Sequence, residues 1–290
     1  MRRTMHRIRL EILFALTGLC LLGGCSSLVS SVTQGFADDL SAAILNNDDL
    51  AMVRDGAPSF LLLVDSLVAR SPDDPYMLQQ SAKLHTAYAA VFVTDEDRSK
   101  LLHAKAKRQA LAAACYGLRK ACGLDQRPFK EFARWLDTQR KSSAPQLYDL
   151  AVTWVGWIQA NSDDFNAVAE LARVKEIMLK TAVLEPGYDS GGVFLYLGVL
   201  ETLFPPSLGG KPEVGRRYFE RAIEASNGQN LMAKVMFAEQ YARLVFDRAL
   251  HDELLAQVMA SPVAVDGLTL MNTVAQEQAQ QLMESANEYF

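Results

Sequence analysis

The sequence predicts an all-α protein built of stacked antiparallel helical hairpins, and three observations predict it. Apolar residues recur at helical spacing almost without interruption from Phe36 onward, and no useful stretch alternates with period two, so no sheet is expected. Small residues stand beside large ones at fixed helical offsets: Phe194, Leu197 and Gly198 at i, i+3 and i+4, then Gly215, Phe219, Ala222 and Ile223 on the following helix. A glycine or alanine there lets two helices approach closely while a bulky neighbour fills the groove. The pattern also recurs, with small residues after large ones at 156, 198 and 238 and the large residues of the returning helices at 179, 219 and 254. A plain tetratricopeptide repeat has about 34 residues, and these wider intervals predict degenerate tetratricopeptide-like repeats with insertions in their loops. Each hairpin would bury its apolar face only against its neighbours.

The first 24 residues read as a targeting segment rather than part of the fold. Arg2, Arg3, His6, Arg7 and Arg9 form a basic start, and Ile12 to Leu22 an apolar run of 11 residues, too short to span a bilayer as a lone helix. It ends Leu22-Gly23-Gly24-Cys25, a bacterial lipobox in which small residues admit the peptidase and the thiol of Cys25 takes the lipid. Cys20, preceded by bulky Leu19, is the weaker candidate. Ser26 after the cysteine favours the outer membrane over retention at the inner one. The expected organisation is therefore a signal peptide at 1–24, a lipid-anchored tether at 25–35 and one helical repeat domain at 36–290. The full chain carries a formal net charge of −5. Removing the basic segment makes the mature chain more acidic still, a poor match for nucleic acid, whose phosphates need clustered cations.

Along the mature chain, Phe36, Leu40, Ala43 and Ile44 make a first apolar stripe. Leu50 to Asp55 makes a second, which Gly56-Ala57-Pro58 is expected to interrupt before a helix from Phe60 to Ala69. Asp73 or Asp74 caps the next helix, with Pro75 in its first turn. Thr94-Asp95-Glu96-Asp97 starts a helix that should run past Cys115 towards Ala121, with Gly123 as its C-cap. Seven residues of continuous helix rise about 10.5 Å, whereas bridged cysteines hold their Cα atoms within about 7 Å. Cys115 and Cys122 are accordingly expected as two small apolar residues on one face, unless the helix breaks near Gly117. Arg127-Pro128 opens a helix to Trp135, Leu147 to Gln159 forms a buried one, and Phe165 to Leu184 returns with Leu179, Ala182 and Val183 on its stripe. Phe204-Pro205-Pro206-Ser207-Leu208-Gly209-Gly210 is longer than a hairpin needs, and such loops are often functional. Leu268 to Tyr289 closes the chain.

No catalytic constellation is legible. His85, His103 and His251 stand in no metal-binding spacing and are expected on helix surfaces or partly buried. The pairs Asp73-Asp74 and Asp163-Asp164 fall at helix starts, where capping explains them. Gly209-Gly210-Lys211 lacks the phosphate-loop frame and reads as a turn. Glu185 and Glu201 carry no mark of the buried acid that a peptidoglycan-cleaving cleft requires. The aromatics offer more. Trp154, Trp157, Tyr188, Tyr196, Phe204 and Tyr241 crowd the central repeats, and aromatics on the concave side of a repeat stack make grooves. These six are the candidate ligand-binding residues. Neither a metal nor a cofactor is expected.

Three runs carry a resemblance to a known family: E-P-G-Y-D-S-G-G from Glu185, L-G-V-L-E-T-L-F-P-P-S-L-G-G-K-P-E from Leu197, and R-Y-F-E-R-A-I-E-A-S-N-G-Q-N-L from Arg217. They resemble the T-component lipoproteins associated with TRAP transporters. The resemblance implies an all-α periplasmic lipoprotein with cryptic tetratricopeptide-like motifs, homotrimeric, paired with the solute-binding P-component of a TRAP system. It also implies a pore or crevice for a hydrophobic or organic-acid-like ligand, and no catalytic residues. The reading is thus an outer-membrane-anchored accessory component of TRAP-type solute uptake, facing the periplasm. Two rivals stand beside it: a helical-repeat scaffold for envelope or outer-membrane assembly, and a peptidoglycan-acting enzyme.

Overall fold

A computed structural model of the chain describes residues 39–290. The expected signal segment, Cys25 and the expected tether lie outside the described residues, as does the start of the first apolar stripe. Every regular element among the described residues is helical. After a helical turn region at 39–45, the elements are α1 (Leu50–Arg70), α2 (Pro75–Phe92), α3 (Glu96–Gly117), α4 (Phe129–Asp137), α5 (Ala144–Ala160), α6 (Phe165–Ala169) and α7 (Leu171–Leu184). Then follow α8 (Gly192–Thr202), α9 (Pro212–Ala225), α10 (Leu231–Met236), α11 (Arg248–Ala260), α12 (Thr269–Glu284) and α13 (Ala286–Tyr289). No helix among the described residues is long and apolar enough to cross a membrane.

Aspartates begin these helices. Asp49, Asp74, Asp95, Asp164 and Asp247 each accept a bond from a backbone N–H of the first turn. Such caps contribute about 1 kcal/mol each, and they account for one member of both acidic pairs singled out in the sequence. Successive helices then pack as neighbours: α1 on α2, α2 on α3, α3 on α5, α5 on α7, α7 on α8 and α8 on α9. Beyond these, α10, α11 and α12 pack on one another. The row also returns on itself. α12 touches α1, the Asn46 amide donates to Asp266 Oδ1 at 2.9 Å, and Asn46 Oδ1 accepts from Gly267 N at 2.6 Å. That contact departs from an open row, in which each hairpin meets only its neighbours.

Two apolar clusters result. One runs from Ala82 through Phe132, Leu147, Trp154 and Ile177 to Leu197, and the other gathers Phe219, Leu231, Phe237, Leu255 and Ala275. They meet where α8 crosses α9, at the small–large pair read from the sequence. A Cβ on Gly198 would stand 2.7 Å from Phe219 Cε1, so the glycine is what admits this fully buried ring. Phe219 in turn stacks on Phe237 with centroids 5.4 Å apart.

Several expectations are corrected. Pro58 does not interrupt a helix: α1 runs straight through it, forgoing one backbone bond at a site where the apolar residues on either side share one face, with Val53, Leu61 and Val64 all buried. The helix expected to reach Ala121 ends at Gly117, because Lys120 and Gly123 take left-handed conformations that fold the chain back. This turn reverses the expectation for the cysteines. Their Cα atoms lie 4.2 Å apart and Cys115 and Cys122 are joined in a disulfide, since the helical rise that would have separated them stops two residues after the first.

The returning helix from Phe165 to Leu184 is broken at Glu170. Its buried face is Val174, Ile177, Met178 and Thr181, not the stripe through Leu179, Ala182 and Val183, and Val183 is 77% exposed. A stripe and its neighbour one residue on read almost alike when both faces are apolar. The closing helix is likewise interrupted at Ser285, between α12 and α13. The three histidines are buried, not surface residues. His85 Nδ1 lies 2.8 Å from Ser81 O, His103 packs beneath Gly156, and His251 stacks edge-on against Phe290.

Candidate functional site

The six aromatics fall into separate settings. Trp154 and Trp157 share one. Trp154 is fully buried on α5, and Lys107 of α3 places its Nζ 3.3 Å from the Trp157 ring centroid and 4.9 Å from that of Trp154. Glu170, at the break between α6 and α7, accepts from Lys107 Nζ at 2.6 Å and from Trp154 Nε1. The break therefore has a local role: it turns a carboxylate inward between a cation and an indole. Burial holds the Lys107 pKa below its ordinary value, and bonding to Glu170 opposes that shift. Cation–π contacts of desolvated cations contribute about 2 kcal/mol, so the two rings join Glu170 in favouring the charged form of Lys107 against its burial.

Tyr188 and Tyr196 meet around a residue that the pattern did not single out. Tyr148 of α5 stands edge-on to both, at 5.1 and 6.1 Å between centroids. Its hydroxyl donates to Asp189 Oδ2 at 2.5 Å. Asp189 can reach it because the segment before α8 turns through three left-handed residues, Asp189, Ser190 and Gly191. Gly192 follows, where any Cβ would collide with the Tyr148 hydroxyl. Next to Tyr148, buried Asp149 accepts from the Gln79 amide and lies 3.6 Å from Lys83 Nζ. Burial raises the Asp149 pKa against the pull of Lys83. Burial also raises the pKa of Tyr148, Tyr188 and Tyr196, with neighbouring carboxylates adding to it. All three phenols remain protonated donors throughout the physiological range, beside two acidic side chains.

Phe204 and Tyr241 stand apart from these groups. Phe204 is 39% exposed in the loop between α8 and α9. That loop is compact: Lys211 N donates to Glu201 O at 2.8 Å, and Gly210 packs so tightly on Phe204 O that no side chain fits there. Tyr241 belongs to the second apolar cluster, in a π-helical turn over Phe237–Ala242, and donates to Glu213 Oε1 at 2.8 Å. Glu201 and Glu185 are engaged in ion pairs, with Lys175 at 2.8 Å and Lys141 at 3.3 Å. Among the described residues no group of three or more His, Cys, Asp or Glu is arranged to hold a metal ion.

Reading by aromatic clustering passed over Tyr148, Asp189 and the Lys107–Glu170 pair. A signal for Tyr148 was present, because it lies six residues before Trp154 on the same predicted helix. Nothing in the spacing marked the carboxylates, whose partners are 41 and 63 residues away. Cavities open on the surface of the described residues. One of about 550 Å³ includes Arg119, Lys120, Arg127, Trp135 and Arg140 in its lining, and one of about 290 Å³ is lined by Glu239, Gln278, Gln281, Leu282 and Ser285. None of the six candidate aromatics lines either.

These settings thus hold neutral phenols, indoles against the Lys107 ammonium, and carboxylates already committed to partners. No curated protein matches the chain. A family model described as the TRAP transporter T-component matches residues 46–290, nearly the whole described chain. The all-helical fold and that match together establish that the chain belongs to the TRAP transporter T-component family.

Proposed function

We propose that the chain is a lipid-anchored, periplasm-facing accessory component of TRAP-type solute uptake, which docks the system's solute-binding protein and offers its ligand an apolar crevice. The family match over residues 46–290 carries this reading. The lipobox ending at Cys25 supports the anchor and Ser26 the outer membrane. The hairpin order, with Gly156 against His103 and Gly198 against Phe219, supports a degenerate tetratricopeptide-like stack in one domain from residue 36. Homotrimer formation follows from the family resemblance.

Of the six aromatics proposed from the sequence as ligand-binding, Trp154 is fully buried, Tyr241 belongs to the second apolar cluster and Phe204 stands apart, so the crevice is proposed at Tyr188 and Tyr196. Tyr188 and Tyr196, half-buried around Tyr148, are the pair best placed to meet a ligand. Neutral phenol donors suit a molecule with an apolar body and a polar end.

The test is capture of the native lipoprotein from solubilised envelopes, followed by mass spectrometry. Recovery of a periplasmic solute-binding protein is expected. Recovery of outer-membrane assembly subunits without one would overturn the reading in favour of a scaffold. Membrane fractionation of Cys25→Ser tests the anchor: the variant should leave the membrane fraction, and unchanged fractionation would refute the lipobox.

A further inference from the structure

The larger cavity gathers positive charge on a chain that is acidic as a whole. Arg119, Lys120, Arg127 and Arg140 line a space of about 550 Å³, and no carboxylate lines it. The formal charge of the full chain is −5, so four cations around one opening run against the average. None of the four side chains forms an ion pair among the described residues, although Lys141, adjacent in sequence, does. Grouping like charges without counterions raises the free energy of the empty site, and a bound anion would offset that.

The cavity is also held in shape. The Cys115–Cys122 disulfide closes the loop that carries Arg119 and Lys120. Arg127 Nη2 donates to Lys120 O at 2.6 Å and Cys122 O at 2.9 Å, pinning the guanidinium to that loop. Trp135 Nε1 donates to Arg119 O at 3.1 Å, tying the loop to α4. Both hydrogens of Arg127 Nη2 are engaged, while Nε and Nη1 have no acceptor among the described residues. The lining also includes the hydroxyls of Ser142 and Ser143 and the buried Gln139, whose amide already donates to Trp135 O and Thr138 Oγ1. One fixed guanidinium, three exposed cations and two hydroxyls around a space of ligand size suit an oxyanion.

We infer that this cavity binds a small multivalent oxyanion, a polycarboxylate or a phosphate ester. This is a second binding site, independent of the apolar crevice and of the docking proposed above. Isothermal titration of the full chain in detergent with citrate, with pyrophosphate and with acetate tests it. Citrate and pyrophosphate distinguish the carboxylate source from the phosphate source, and acetate tests multivalency. One saturable site is expected for citrate or pyrophosphate, with acetate at least about a hundredfold weaker.

Arg140→Gln and Lys120→Gln each remove a charge without touching the bonds that hold the loop, so both should fold as wild type by circular dichroism. Each should weaken binding about tenfold, the loss of one charge-assisted contact. Arg127→Gln should weaken it further, but it also frees the loop, so the two milder variants decide. Unchanged affinity in both, no saturable binding of either polyanion, or acetate binding as tightly as citrate would each overturn the proposal.

Discussion

Gly198 and Phe219 form the contact on which the central hairpin turns, and a double-mutant cycle measures it. Phe219→Ala empties a fully buried site between α8, α9 and the second cluster, and should cost about 3–5 kcal/mol. Gly198→Ala adds a methyl group whose carbon would lie 2.7, 2.8 and 2.9 Å from three atoms of the Phe219 ring. The ring is stacked on Phe237 and cannot retreat freely, so overpacking should cost about 1–3 kcal/mol. Replacing a mid-helix glycine by alanine returns about 1 kcal/mol of helix propensity, leaving a net loss of about 0–2 kcal/mol. In the Phe219→Ala background the ring is gone, only the propensity gain remains, and Gly198→Ala should stabilise by about 1 kcal/mol. The coupling is therefore about 1–3 kcal/mol, read from urea midpoints of the four chains at constant m-value by far-ultraviolet circular dichroism. If Gly198→Ala has the same effect in both backgrounds, to within about 0.5 kcal/mol, the glycine is not there for the ring and the small–large logic fails at its centre.

Three further outcomes test other parts of the structure. Replacing both Cys115 and Cys122 by serine opens a loop of eight residues, counted from the seven-residue separation, and chain entropy predicts a loss of about 2.5 kcal/mol; equal midpoints for oxidised wild type and the serine pair would show that the turn is fixed without the bond. Glu170→Gln weakens the one acceptor shared by Lys107 and Trp154 and should destabilise by about 1–3 kcal/mol, whereas a neutral result would mean that the cation–π contacts suffice. His85 and His103 are held below their ordinary pKa of 6.5, chiefly by burial. Below that pH the unfolded chain binds more protons than the folded one, so their contribution to stability is intact above pH 6.5 and lost as the pH falls; His103→Leu should flatten the fall between about pH 6.5 and 5, and an unaltered slope would assign the effect elsewhere.

How much of this was legible in the sequence depended on how far apart the partners lie along the chain. Helix starts were legible because a cap and its donors lie within three residues: Asp74, Asp95 and Asp164 all act where the sequence placed them. The small–large pairs were legible because glycine in an apolar helix has few other uses. Pro58 misled because a proline inside a helix forgoes one bond, while burial of Val53 before it and of Leu61 and Val64 after it favours one continuous helix. The cysteines misled because the decisive fact was the left-handed turn at Lys120, and a lysine there gives no sign of it. The returning-helix stripe was misplaced by one residue because α7 is apolar over more than one face, and only packing against α5 and α8 selects Val174, Ile177 and Met178.

The site was less legible than the fold for a related reason. Clustering of aromatics in sequence found Trp154 with Trp157 and Tyr188 with Tyr196, but could not find what joins the members of each pair. Lys107 joins the first pair from a different helix, and Tyr148 the second from the far end of α5. Tyr241, close in repeat count, belongs to the other apolar cluster, as do Leu231, Val235, Phe237 and Ala238 before it. This whole stretch packs towards α11 and α12, and the Tyr241 hydroxyl donates to Glu213 on α9. The first place to look for a ligand is therefore where Tyr148 draws Tyr188 and Tyr196 together, because tertiary contact and not helical count unites these phenols.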